Sequence, residues 1–247
     1  MLQLTLDERK NFVAKLVQKN TGDSIFECYS ERGLLSYFFF RYLAKKENFS
    51  AFLNKLFIGR EQFTNLSNVT LFSELDLGNK GFGKPDGAFY FESNKNPYFV
   101  FVEGKFNETY LQACNKSVKY YNSTIKGQLE LKLRLISCIR EDSLEQGIIQ
   151  ENEEIKDFFK GRDVFYRNNP TSFRKVKLMS GVKRFFSDYL RRCNRESIFF
   201  LVISKDKLSP FVKLKEDLQP NSHNLTWKEV QKQLLWENAN FIESLSE

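Results

Sequence analysis

Residues 78–105 read GNKGFGKPDGAFYFESNKNPYFVFVEGK, and the two halves of this stretch point to different architectures. Gly78 to Lys84 spells GxxxxGK, the frame of a phosphate-cradling loop. Such a loop needs a helix starting at its lysine and a Ser or Thr directly afterwards to hold magnesium. Position 85 is Pro, which has no hydroxyl, and the following DGAFYFE has the composition of a strand. No helix N-terminus is therefore expected where a phosphate would need its dipole, and the glycines read as a turn. The second half is richer. DGAFYFES is short and aromatic, NPYFVFVEGK is a run of β-formers, and NVTLFSELD upstream alternates. Residues 68–105 accordingly predict three strands separated by turns at GNKGFG and SNKNP.

Helical spacing dominates on either side of this meander. Residues 6–18 predict a short helix capped by Asp7, and SERGLLSYFFFRYLAKK predicts a long amphipathic helix carrying Leu34, Leu35, Phe38, Phe39, Tyr42 and Leu43. AFLNKLF continues as a second short helix after Ser50. Beyond Lys105, NETYLQACNKSVKYYN has helical composition. IKGQLELKLRLISCI is ambiguous by period, since Leu129, Leu131, Leu133 and Leu135 alternate while Ile125, Leu129, Leu133 and Ile136 fit a helix. Its abundance of Leu, Glu, Lys, Arg and Gln favours helix. SGVKRFFSDYLRRC places Val182, Phe185, Phe186, Tyr189 and Leu190 on one helical side, and ESIFFLVISKD reads as a buried strand of a mixed or parallel sheet. LTWKEVQKQLLWENANFIESL is a closing helix capped by Thr226. Residues 141–179 fit neither pattern and read as an insertion within one domain spanning 1–247.

Composition removes several chemistries. The chain holds one histidine, His223, too little imidazole for HExxH proteases or zinc deaminases, and its setting QPNSHNLTW predicts a loop rather than a catalytic triad. The four cysteines form no CxxC pair, and 247 residues with 41% hydrophobic content bury a core without disulfides, so free buried thiols are expected. No apolar run is long enough to span a membrane and the N-terminus turns charged early, which predicts a soluble, cytoplasmic protein. The net charge of +7, from 38 basic and 31 acidic residues, favours a polyanionic partner. Arg174, Lys175, Lys177, Lys183, Arg184, Arg191, Arg192 and Arg195 concentrate that charge in one segment.

The chemistry-bearing residues cluster at the end of the opening stretch. Side chains at i and i+2 of a strand share a face, so Glu103 and Lys105 project opposite Val100 and Val102. An antiparallel neighbour can bring Asp86 within ligand distance of Glu103. Two carboxylates and the Gly104 carbonyl then form a hard oxygen set suited to magnesium.

Pro85-Asp86 followed by Glu103-Gly104-Lys105 resembles the PD-(D/E)xK nuclease superfamily. SERGLLSYFFFRYL looks like its first core helix, FSELD like the strand before its glycine turn, and KGQLELKLRL like its helix after the motif. SIFFLVISKD followed by TW and a helix resembles the tail of bacterial members. Gly104 stands where an apolar or Asn residue is usual, and the spacing from Lys105 to Gln128 is longer than in compact members. The resemblance implies an α/β fold with a restriction-endonuclease-like core, a mixed central sheet flanked by helices. It implies magnesium-dependent hydrolysis of phosphodiester bonds, with manganese able to substitute and DNA as the expected substrate. Asp86 and Glu103 would hold the metal with Gly104, joined by Glu31 and by Glu74 or Asp76, while Lys105 and Gln128 would complete the catalytic set. The basic segment would track the nucleic-acid backbone, and a homodimer would serve double-strand cleavage. The alternative is a nuclease-fold binding or assembly protein that does not cut.

Overall fold

The computed structural model describes residues 35, 46–56, 63–73, 85–105, 125–138, 148–149, 176–177, 185, 188–204 and 221–233. Helix α1 covers Lys46–Leu56, and strands β1, β2 and β3 cover Leu66–Ser73, Gly87–Ser93 and Asn96–Lys105. Helix α2 covers Ile125–Cys138, short strands β4 and β5 cover Ile148–Ile149 and Val176–Lys177, and β6 covers Ile198–Ser204. Strand β7, Ser222–Thr226, runs directly into helix α3, Trp227–Gln233. The main sheet has the order β1-β2-β3-β6-β7. Its first three strands are antiparallel, whereas β3, β6 and β7 run parallel. This mixed sheet with helices packed on it is an α/β architecture.

The meander forms for local reasons. Asn94 and Lys95 both take positive φ, 50° and 69°, and Ser93 pairs with Asn96, giving a two-residue hairpin whose twist matches the flanking strands. In β1 the register slips by one between Ser67 and Thr70, and Asn68 sits at the slip with φ 50°. An extra residue reverses the side-chain alternation. Leu66 and Leu71, five positions apart, consequently both reach the same hydrophobic cluster. α2 resolves the ambiguous LELKLRL run as a helix, and it is buried at Leu129, Leu131, Leu133 and Leu135 alike. That near-complete burial explains why its apolar residues mimic a strand's alternation.

One sheet face carries Phe89, Phe91, Val100, Val102, Leu201 and Ile203 against Phe49, Phe52, Leu53 and Leu56 of α1 and Val230 of α3. The α1 residues recur at helical spacing, and Phe49 meets Phe89 and Phe91 edge-on at 5.4 and 5.7 Å. The opposite face carries Phe99 and Phe101, and there Phe185 and Tyr189 pack edge-on against Phe72 and Tyr189 against Tyr90. Every residue of β2 and β6 is buried, so both faces are covered. α3 is capped as its sequence predicts. The Glu229 N–H donates to Thr226 Oγ1 at 3.0 Å, and the Thr226 N–H donates to Glu229 Oε2 at 2.7 Å, a reciprocal capping box.

Two expectations need correction. His223 lies in β7, paired with Leu201, not in a loop, because β7 extends the sheet beyond β6. α1 begins at Lys46, ahead of Ser50, which lies inside it. The segment SGVKRFFSDYLRRC is helical at Phe185 and Asp188, as expected, with the Tyr189 N–H donating to the Phe185 carbonyl at 3.1 Å, and it ends in a 3-10 turn over Leu190–Arg192. Within 141–179, β4 and β5 pair antiparallel as a separate two-stranded ribbon. The predicted helices at 6–18 and NETYLQACNKSVKYYN and the glycine turn at 78–83 lie outside the described residues. Among the described residues no helix is long and apolar enough to cross a membrane.

Candidate functional site

The β2–β3 register decides what the second half of the opening stretch does. Gly87 pairs with Val102, so one further step sets Asp86 opposite Glu103. Side chains directly opposed across antiparallel strands share a face, with Cβ atoms about 5 Å apart. The Gly104 N–H donates to Asp86 Oδ2 at 2.9 Å, which fixes the carboxylate at the strand end. A strand, not a helix, begins after Pro85, consistent with the rejection of a phosphate loop. Gly104 thus contributes its N–H to holding Asp86.

Lys105 projects on the same face as Glu103, and its Nζ stands 3.8 Å from Asp86 Oδ2. Its backbone is anchored too, since the Trp227 Nε1–H donates to the Lys105 carbonyl at 3.3 Å. The parallel register sets Glu103 beside Val202 and Lys105 beside Ser204, whose hydroxyl accepts from Asn224 Nδ2 at 2.9 Å. Polar groups therefore collect at the C-terminal ends of the parallel strands, where open α/β sheets place their ligands.

Glu103 is fully buried, and α2 supplies a partner that sequence reading missed. The Lys132 ammonium forms an ion pair with Glu103 Oε1, both side chains being 0% exposed. Lys132 Nζ also donates to the Gln128 carbonyl at 3.3 Å. Burial raises the Glu103 carboxyl to about 7, helped by the nearby Asp86 charge and opposed by Lys132 and Lys105. A signal for Lys132 existed, because Gln128 and Lys132 are four apart and share a helix face. Nothing in the sequence, however, says which face of α2 meets β3.

Asp86, Glu103, Lys105 and Lys132 form a buried set of two carboxylates and two ammoniums with no formal net charge. Two oxygens in this region stand out, Glu103 Oε2 and Gln128 Oε1, each buried and without a hydrogen-bond partner among the described residues. Among the described residues no group of three or more His, Cys, Asp or Glu could hold a metal ion. What Asp86 and Glu103 provide is a two-carboxylate set with additional oxygens nearby. That suits magnesium, which often takes only one or two carboxylates and completes its shell with water and substrate phosphate. Glu31, Glu74 and Asp76 lie outside the described residues.

The basic segment is only partly described. Arg191, Arg192 and Arg195 are exposed, and Lys177 belongs to β5. Arg174, Lys175, Lys183 and Arg184 lie outside the described residues. Arg192 donates to Glu92 Oε1 at 2.6 Å and lies 5.6 Å from the centroid of the Tyr90 ring. Tyr90 and Asn68 also donate to Glu92, so the arginine closes a structural cluster at the hairpin end of β2. Asp86 is six residues away along the strand, roughly 20 Å at 3.3 Å per residue. Cys193, a free thiol in this segment, is pushed up to about 12 by burial, which leaves it unreactive.

No protein-family model matches the chain, and no curated protein and no solved structure matches it. The assignment of a function therefore rests on the chain's own residues.

Proposed function

We propose that this chain is a magnesium-dependent nuclease with a restriction-endonuclease-like core of the PD-(D/E)xK type, hydrolysing phosphodiester bonds in DNA. The observation that carries the reading is the register of β2 on β3. It sets Asp86 against Glu103, with Lys105 on the same face and its ammonium 3.8 Å from Asp86. The antiparallel meander joined to parallel β6 also agrees with the mixed sheet that the resemblance implies.

Asp86 and Glu103 would hold the ion, with Glu31 and Glu74 as further ligands by the resemblance. When bound, magnesium or manganese would supply Lewis-acid charge to the phosphate and make water a stronger nucleophile. Gly104 keeps Asp86 in place through its N–H. Lys105 would orient the attacking water and offset charge developing on the phosphoryl oxygens. Gln128 would offer an uncharged oxygen beside them. The basic residues of 174–195 would follow the backbone without reading sequence. The cytoplasm is the proposed site of action, and a homodimer would present one site to each strand.

Asp86→Ala and Lys105→Ala are expected to lose DNA cleavage by at least about 100-fold in magnesium or manganese while retaining DNA binding. Full cleavage by either variant sinks the assignment. One observation favours a second reading, a binding or assembly protein that does not cut. Lys132 already neutralises one of the two carboxylates. Nucleic-acid binding without metal-dependent cleavage of DNA or RNA would select it.

A further inference from the structure

Lys132 is a buried cation for which the proposed hydrolysis has no use. Its ammonium is held at two points, the Glu103 carboxylate and the Gln128 carbonyl one turn back on its own helix. Lysine carries its charge on a flexible four-carbon stem. The ammonium can therefore leave Glu103 and keep a partner without α2 moving.

Charge balance gives this mobility a purpose. With Lys105 facing Asp86 and Lys132 facing Glu103, the site is neutral before any ion enters. A divalent ion on the two carboxylates would meet both ammoniums at close range, where repulsion in a poorly solvated interior is strong. Glu103 Oε2 and Gln128 Oε1 remain as buried oxygens with no hydrogen-bond partner among the described residues, which points to a further ligand in this corner.

We propose that Lys132 is a built-in counter-cation of this site: it pairs with Glu103 while no metal is bound and yields that carboxylate to a divalent ion. The proposal rests on reading Asp86 and Glu103 as metal ligands. Lys132 is thereby a positioning residue that restrains Glu103 in the empty site and weakens its hold on metal. Protein that meets little free metal keeps a closed ion pair, and metal binding opens it.

The test is calorimetric titration of the full chain with magnesium chloride alone, in alkaline buffer so that protons do not compete for Glu103. The proteins compared are wild type, Lys132→Gln, Lys132→Arg and Asp86→Asn. Lys132→Gln is expected to bind magnesium about tenfold or more tightly than wild type, because the competing charge is gone. Lys132→Arg, which keeps the charge, is expected to stay close to wild type, and Asp86→Asn to lose the heat of binding. A second measurement uses protein labelled with nitrogen-15 at lysine. The ammonium signal that Lys132→Arg removes should shift as magnesium saturates the wild type. Should Lys132→Gln fail to fold, this signal alone decides. Equal or weaker binding by Lys132→Gln, or an ammonium signal unmoved at saturation, overturns the counter-cation and leaves the metal site standing. Absence of Asp86-dependent binding in every protein overturns the metal-site reading and the inference with it.

Discussion

Breaking the Lys132–Glu103 pair from one side should cost far more than removing it from both. Each side chain is 0% exposed, so Lys132→Met leaves a carboxylate in the interior facing no ammonium from α2. Removing one partner of a buried pair costs about 3–5 kcal/mol. Protonation sets a ceiling on that cost. The ordinary carboxyl value is 4.5, so keeping Glu103 neutral at about pH 8 costs about 5 kcal/mol at about 1.4 kcal/mol per pH unit. Glu103→Gln leaves the complementary fault, a buried ammonium with one carbonyl. The double variant removes both charges and should return to within about 2 kcal/mol of wild type, since neutral replacements of buried pairs are often tolerated. The coupling between the two sites should then be at least about 2 kcal/mol. Urea unfolding followed by circular dichroism, at about pH 8 with chelator present, measures all four proteins; each single variant should also melt on the order of 10 °C lower. Single effects that add to within about 0.5 kcal/mol would refute the reasoning, because independent sites behave that way.

The remaining predictions concern the frame around the site. Glu92 is held below the ordinary carboxylate range chiefly by the Tyr90 hydroxyl, with Asn68 and Arg192 contributing, against the opposing effect of burial. A depressed value means that its stabilisation is present above the ordinary value of 4.5 and fades as pH falls through the folded one. Glu92→Gln should therefore flatten the acid limb of a stability–pH curve, and an unchanged acid limb would count against the cluster. Thr226→Ala removes the side chain that caps α3 and should cost about 1 kcal/mol in urea unfolding. Trp227→Phe removes the donor to the Lys105 carbonyl and should cost about 1 kcal/mol of stability while reducing cleavage, since it loosens the strand end that carries Lys105. A Trp227→Phe protein with wild-type stability would show that this hydrogen bond does not support the strand.

Period and local chemistry made much of the fold legible. β2 and β3 were readable because strand composition and a turn flanked them, and the side of β3 on which Glu103 and Lys105 emerge follows from a period of two. The start of α3 was readable from Thr226, a favoured N-cap residue. Other features were hidden for stated reasons. His223 looked like a loop residue because QPNSHNLT lacks strand composition, yet the free edge of β6 recruits it into β7. The bulge at Asn68 shows only when β1 meets β2, although it decides that Leu66 and Leu71 share a face.

By itself the sequence determined that a strand follows Pro85-Asp86, that Glu103 and Lys105 point the same way, and that an antiparallel return could set Asp86 beside them. These are consequences of backbone geometry within a short span, where i and i+2 positions and a short turn leave few choices. Only the tertiary structure decided that α2 lays Lys132 on Glu103 and that Arg192 is tied to Glu92 at the other end of the sheet. Both pairings join segments far apart in the chain. They depend on which helix face and which strand edge are buried together, a property of packing that no local pattern encodes.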